Sequence, residues 1–342
     1  MTSPAADPAF RTAVTARLAA FVDGQRRALT ELDPAVADLI DTAAAFAAGG
    51  KMLRPVFCHA GWLLAGGAPA ADRVAAAGAA FEWLQASALV HDDLMDGSDT
   101  RRGRPSVHRD FEHRHVAAGA AGDAEQFGAR VAVLVGDLLL SWADAQLREA
   151  EADPRTAALW DACKSEVVAG QFLDVVAQTR HRLSVESAMH VIRFKAAKYT
   201  VERPLHVGAA LAGGDDRLLA ALSDVALPLG EAFQLRDDVL GVFGDPADTG
   251  KPAGDDLREG KRTVLVARAA ALGDAERVTA MLGREETVAD LRDLIAASGA
   301  LAAVEDDIAR LTAQARTAVT ALGPAGVEVL DPLVDAATRR VR

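Results

Sequence analysis

The sequence predicts an all-α fold, a single large helical bundle over 1–342. Three observations predict it. Alanine dominates, with leucine and valine behind it, and alanine is the best helix former. Apolar residues recur at helical spacing, and no segment shows the strict alternation of a strand. Proline falls mostly between the apolar-periodic segments rather than inside them.

Taken in order, those segments predict helices over 8–31, 34–48, 51–66, 71–97, 122–150 and 155–178. A long helix over 184–213 is expected to break near Pro204, because proline lacks an N–H. Helices over 215–244, 260–272, 285–297, 299–321 and 325–340 complete the chain, and no strand is expected. Residues 1–7 are expected to be loose. The polar stretch 109–125, with His108, His113 and His115 in or beside it, reads as a surface loop. Trp62, Trp83, Trp142 and Trp160 read as packing.

Composition excludes several classes. Half of the 342 residues are hydrophobic and a quarter charged, which is not the composition of a disordered chain. The net charge of −12 argues against nucleic acid as a partner. Two cysteines, Cys58 and Cys163, make no disulfide framework and indicate a reducing compartment. No basic start precedes an apolar core, and no apolar run of about 18 residues is free of charge, so the expectation is cytoplasmic, without a membrane span.

Two segments break the helical pattern in a polar way. Asp92 to His108 reads DDLMDGSDTRRGRPSVH, and Asp237 to Thr263 reads DDVLGVFGDPADTGKPAGDDLREGKRT. Each begins as an apolar helix, acquires paired aspartates and ends as a charged loop. Asp92 and Asp96 lie four residues apart, about 5–6 Å between Cβ atoms on one helix face, with Asp93 turned beside them. Such crowded charge suits a hard divalent cation, and Mg²⁺ takes one or two carboxylates plus substrate phosphate. Asp237 and Asp238 form a weaker second group, because position 241 is Gly. Arg101 and Arg102 offer forks for phosphate oxygens. Gly49-Gly50-Lys51 and Arg54 open a further helix, where free N–H groups favour an anion.

Lysine is a second marker. Only six of the 37 basic residues are lysine: Lys51, Lys164, Lys195, Lys198, Lys251 and Lys261. A chain that otherwise uses arginine retains a lysine where a compact ammonium is needed.

Together GGKMLRP, DDLMD…RRGRP, GQFLD and FQLRDD…GDPADTGKPAGDD resemble the trans-isoprenyl diphosphate synthase (polyprenyl synthetase) family, from about Gly49 to Thr263. The resemblance implies a bundle of the isoprenoid synthase type with a central active-site cavity, usually a homodimer. It implies condensation of an allylic diphosphate with isopentenyl diphosphate, using three Mg²⁺, with Mn²⁺ as an alternative. Asp92, Asp96 and Asp93 then match the first metal group, and Asp237 with Asp238 the second. Arg101, Lys195 and Lys251 match allylic diphosphate ligands, with Gln171 and Asp174 near them. Gly50, Lys51, Arg54, Gln85 and Arg102 match the isopentenyl diphosphate site. Lys195, Gln234 and Thr200 are the catalytic candidates, and Lys261 lies in a closing lid.

Two departures stand out. Gly241 removes a third aspartate from the second group, but metal can still bind through Asp237, so weakened rather than lost function is expected. Lys195-Ala196 replaces the Lys-Thr pair of many relatives, and Thr200 or Lys198 would fill part of that role. Product length is expected to follow from the helix before Asp92. Ala88 and Ser87 are small, while Leu84 and Phe81 lie about 12 and 16 Å below Asp92, with Phe81 the candidate floor. The expected product is C20, geranylgeranyl diphosphate, with C15, C25 or longer as alternatives. A class I terpene cyclase and a non-catalytic synthase subunit are the rival readings. The cyclase lacks a need for the Gly-Gly-Lys site, and the subunit reading is disfavoured because most metal-group aspartates remain.

Overall fold

The computed structural model describes residues 3, 6–69, 71–180, 182–245 and 253–338. Helices α1 (Pro8–Thr30), α2 (Val36–Ala47), α3 (Leu53–Leu64) and α4 (Asp72–Asp96) open the chain. Of the first seven residues, Ser3 is buried with its hydroxyl on the Val329 carbonyl, and the Asp7 carboxylate accepts from Ala9 N to cap α1. Those two are anchored, contrary to the loose start expected.

α4 is the central element. Ala75, Ala76, Ala77, Ala79 and Ala80 are all fully buried, so the helix is apolar on every side and packed on every side. Its last turn emerges carrying Asp92 and Asp96. Gly97, at φ 66°, ends it, because a left-handed residue there costs glycine little.

A two-residue hairpin follows: β1 (Thr100–Arg101) pairs antiparallel with β2 (Arg104–Pro105). Arg102 and Gly103 both have positive φ at its turn, the geometry of tight two-residue hairpins. α5 (Val107–Ala117) replaces the surface loop expected there, and His108 and His115 are buried on its inner face. α6 (Ala124–Glu149) packs along α4, and α7 (Pro154–Thr179) follows.

The expected break near Pro204 takes another form. α8 (Val185–Val191) runs into a π-helical segment, Ile192–Glu202, and then into α9 (Arg203–Leu211), with Pro204 in the first turn of α9. The segment is held between two other helices at close range. A Cβ on Gly170 of α7 would lie 2.5 Å from Lys195 N, and one on Gly230 would lie 2.5 Å from Ala197 Cα. Wide π turns at a functional site are a recurring device.

α10 (Asp216–Phe243) carries the second aspartate pair. The short α11 (Asp255–Arg258), then α12 (Val264–Leu272), α13 (Ala275–Met281), α14 (Val288–Ala297), α15 (Ala300–Ala321) and α16 (Gly323–Thr338) complete the fold. One apolar cluster gathers around α4, a second joins α3, α9, α10, α15 and α16, and a third seats α12–α15 on α10. The four tryptophans are buried, and both cysteines are buried and free. α6 and α10 are long and apolar enough to cross a membrane by length and composition. Only 39% and 50% of their most apolar windows are buried inside the structure.

Candidate active site

The ends of α4 and α10, the middle of α7, the π segment and the start of α3 enclose a cavity of about 900 Å³. Asp92, Asp237, Asp238, Gln171, Asp174, Lys195, Gln234, Thr200 and Lys261 line it. So do Gly50, Lys51, Arg54, Gln85 and Arg102. Residues from opposite thirds of the chain therefore meet in one space.

The carboxylate side is laced with ammonium groups. Lys195 Nζ donates to Asp92 Oδ1 at 3.0 Å and to Asp174 Oδ2 at 2.6 Å. Gln171 Nε2 donates to the same Asp92 oxygen at 3.0 Å. Burial opposes ionisation of Asp92, but Lys195, Lys261 and Arg101 outweigh it and hold its pKa below the usual range. Asp96 is shifted the other way, by burial and by Asp92, against the pull of Lys261. Lys261 Nζ lies 3.1 Å from Asp96 Oδ2 and 2.6 Å from Glu259 Oε2. Burial pushes Asp238 up to about 8, with Asp256 and Asp237 adding to it, and Gln234 Nε2 donates to its Oδ1 at 2.9 Å.

Neither Asp93 nor Asp96, both expected at the first metal group, lines the cavity itself, and Asp96 meets it only through Lys261, which does. Asp93 is fully buried and does not line the cavity; Arg101 Nε donates to its Oδ1 at 2.8 Å. The geometry follows from the helix, which turns Asp93 about 100° away from Asp92. Asp93 thus orients Arg101, whose guanidinium reaches 3.9 Å from Asp92 Oδ2. Lys198 is committed to Glu166 at 2.6 Å and Glu202 at 3.5 Å, so it does not fill the role suggested beside Ala196. Lys251 lies outside the described residues.

The second basic group is built around Arg54. Its Nη2 donates to Thr200 Oγ1 at 2.8 Å, and its guanidinium lies 4.1 Å from the Tyr199 ring centroid. Thr200 therefore serves this group rather than Lys195. Tyr199 in turn donates its hydroxyl to Gln85 Oε1 at 3.0 Å. Arg54 Nε is buried and has no hydrogen-bond partner among the described residues, a donor left for an anion. Arg102 Nη1 donates to the Ala48 carbonyl at 2.9 Å.

Sequence reasoning missed Glu82 and Tyr199. Glu82 is 6% exposed and sits among arginines; burial pushes its carboxyl up while Arg54, Arg102 and Arg11 pull it down. A Cβ on Gly50 would lie 2.9 Å from Glu82 Oε2, so Glu82 reaches the start of the Gly-Gly-Lys segment. The available signals were an acid inside an otherwise apolar run and the chain's single tyrosine.

The apolar part of the cavity is lined by Ala88, Leu89, Val133, Val167, Val168 and Phe172. The deeper floor candidates lie elsewhere. Phe81 packs edge-on against Trp160, ring centroids 5.1 Å apart, and Leu84 is core. Ser87 spends its hydroxyl on the Gly136 carbonyl at 2.8 Å. None of the three lines the cavity. Rotation accounts for Leu84, which is turned about 80° from Asp92, whereas position 81 returns to within about 20° of Asp92 and its ring is taken up by the contact with Trp160.

The donor set fits a hard divalent cation. Among the described residues no three His, Cys, Asp or Glu side chains close on one point. Mg²⁺ does not require that, since one or two carboxylates and substrate phosphates complete its shell. Asp92 and Asp237 offer carboxylates from separate helices to one cavity.

The polyprenyl synthetase family model matches residues 38–298. The chain is 40% identical to a crystal structure of geranylgeranyl pyrophosphate synthase from Corynebacterium glutamicum, complexed with isoprenyl diphosphate and magnesium. The match covers 97% of this chain and 99% of that one, with a TM-score of 0.91. It is 29% identical over 308 residues to a geranylfarnesyl diphosphate synthase from Aeropyrum pernix, covering 86% of this chain and 92% of that protein. It is 30% identical over 336 residues to a nonaprenyl diphosphate synthase from Mycobacterium tuberculosis, covering 96% and 94%. With two charged groups meeting in one apolar-walled cavity, these likenesses show that the chain belongs to the polyprenyl synthetase family and is a trans-prenyl diphosphate synthase.

Proposed function

We propose that the chain condenses dimethylallyl, geranyl or farnesyl diphosphate with isopentenyl diphosphate to give all-trans geranylgeranyl diphosphate (C20), as a homodimer with three Mg²⁺. The observation that carries this reading is the pairing in one cavity of a carboxylate–lysine group with an arginine group. The first suits a metal-bound leaving diphosphate, and the second a diphosphate that is held but not cleaved.

Mg²⁺ held by Asp92, Asp96 and Asp237 would supply electrostatic stabilisation to the departing diphosphate. Lys195 and Arg101 sit against Asp92 and add positive charge where that diphosphate leaves. The bond from C1 of the allylic unit to its diphosphate oxygen breaks. The isopentenyl double bond forms the new carbon–carbon bond at C1. A proton from C2 of the isopentenyl unit passes to the released diphosphate, so no protein base is required. Arg54, Arg102 and Lys51 orient the isopentenyl diphosphate, and Tyr199 and Gln85 fix Arg54. Lys261 belongs to the segment that closes over the carboxylates and excludes water from the cation.

The apolar wall governs length in this reading. Ala88 lies one helical turn before Asp92 and lines the cavity, so a bulky side chain there shortens the space available. Ala88→Phe is expected to move the main product from C20 to C15. Phe81→Ala is expected to cost about 3–5 kcal/mol of stability through the cavity it leaves, without lengthening the product. Product-length analysis with each primer, alongside thermal unfolding, checks both; an unchanged spectrum in Ala88→Phe contradicts the wall assignment.

A longer product is the second reading, and one observation favours it. Val168 and Phe172 line the cavity yet are 66% and 65% exposed, so this wall is open in a single chain. A second copy covering it would complete the wall, which supports the homodimer.

A further inference from the structure

The π segment Ile192–Glu202 carries groups of both halves of the cavity. Lys195 bonds Asp92, and Thr200, later in the same segment, bonds Arg54. The separation of the two charged groups therefore depends on how this segment is wound. Its hydrogen bonds close one residue later than those of an α-helix, a geometry rare beyond a single turn. Return to an α-helix would rotate Thr200 about the axis relative to Lys195.

α7 grips the segment at three levels, residues 166, 170 and 174, each one turn apart on one face. Asp174 Oδ2 accepts from Lys195 Nζ at 2.6 Å. At Gly170 the two backbones meet, and an added Cβ would lie 2.5 Å from Lys195 N and 2.8 Å from Lys195 Cα. Glu166 makes the third level. Its Oε1 accepts from Lys198 Nζ at 2.6 Å. Arg203, the first residue of α9, closes a fork on it, Nη2 to Oε1 at 2.6 Å and Nε to Oε2 at 2.7 Å. Lys198 Nζ also lies 3.5 Å from Glu202 Oε2. Burial opposes ionisation of Glu166, but Arg203 and Lys198 outweigh it and hold its pKa below the usual range. Glu166, Lys198, Glu202 and Arg203 all lie outside the cavity lining, so two anions and two cations balance behind the segment.

We propose that Glu166 is a positioning residue for the condensation: by holding Lys198 and Arg203 it keeps the π segment wound wide, and so sets Lys195 and Thr200 at the separation that two diphosphates need. The inference rests on the reading of the cavity as two diphosphate sites. It gives the charge cluster a part in the reaction although none of its members touches a substrate.

The test is the single-turnover rate of condensation by the full chain, with farnesyl and isopentenyl diphosphates and Mg²⁺. The half-saturating concentration of each substrate and the melting temperature are measured alongside. Glu166→Gln keeps the shape and removes the charge. It is expected to lower the saturated rate about 30-fold, through misplaced reacting carbons, with both half-saturating concentrations within about threefold of wild type. Glu166→Gln with Lys198→Gln rebalances the charge without restoring the tie, and is expected to regain the melting temperature but not the rate. This double variant carries the rate test where Glu166→Gln alone does not fold. A wild-type rate in Glu166→Gln, or recovery of rate together with melting temperature in the double variant, would overturn the proposal, since the cluster would then serve stability alone. A change confined to the isopentenyl half-saturation would overturn it too, by making the cluster a prop for Arg54. A wild-type chain that forms no carbon–carbon bond removes the two-diphosphate reading itself, independently of Glu166.

Discussion

Asp92→Ala is expected to lower kcat by about 1,000-fold or more, the largest single-residue effect in the protein. The carboxylate is the point at which the first site converges. Lys195 and Gln171 both bond its Oδ1, and Arg101 approaches its Oδ2. Removing it takes away a hard ligand and releases the lysine that it orients. Lys195 then keeps Asp174 alone, so its ammonium is drawn toward α7. The fold is expected to persist, because the apolar part of α4 lies below the substituted turn. Steady-state kinetics over a range of Mg²⁺, with thermal unfolding as control, check this. A variant with kcat within tenfold of wild type would place the metal chemistry elsewhere.

Arg54→Ala is expected to raise the KM for isopentenyl diphosphate about 100-fold, equivalent to about 2.8 kcal/mol. The allylic KM is expected to stay within about twofold. Arg54 is fixed from three sides, by the Tyr199 ring, by Thr200 Oγ1 and by the nearby Glu82 carboxyl. Its planar fork stacks and donates at once, which a lysine does not reproduce, so Arg54→Lys is expected to recover little. Measuring the two KM values separately distinguishes a local loss of anion binding from general damage. An equal rise in both would contradict the division of the cavity into two diphosphate sites.

Most of the site was legible because its chemistry is carried by unusual residue types at regular spacing. DDLMD at the end of an alanine-rich helix and lysines in an arginine-using chain both point to it. α4 was equally plain, expected over 71–97 and observed at Asp72–Asp96, since small apolar residues leave no polar face. α5 was hidden because two of its four buried positions are histidines, His108 and His115, which count as polar in any periodicity. The π segment has no local signature. Its tight contacts depend on Gly170 and Gly230, on helices remote in sequence.

The floor of the cavity was misplaced for a related reason. Spacing along one helix gives depth, but the lining is a property of several helices. Val133 of α6 and Val168 and Phe172 of α7 form wall that α4 alone could not reveal.

The most direct test of the central claim is the stoichiometry of diphosphate release with farnesyl diphosphate as primer, measured with and without isopentenyl diphosphate and Mg²⁺. Release is expected only when all three are present, with one diphosphate freed for each carbon–carbon bond formed. Release from farnesyl diphosphate alone with Mg²⁺, at a rate unaffected by isopentenyl diphosphate, would contradict it and indicate cyclisation or hydrolysis in place of condensation.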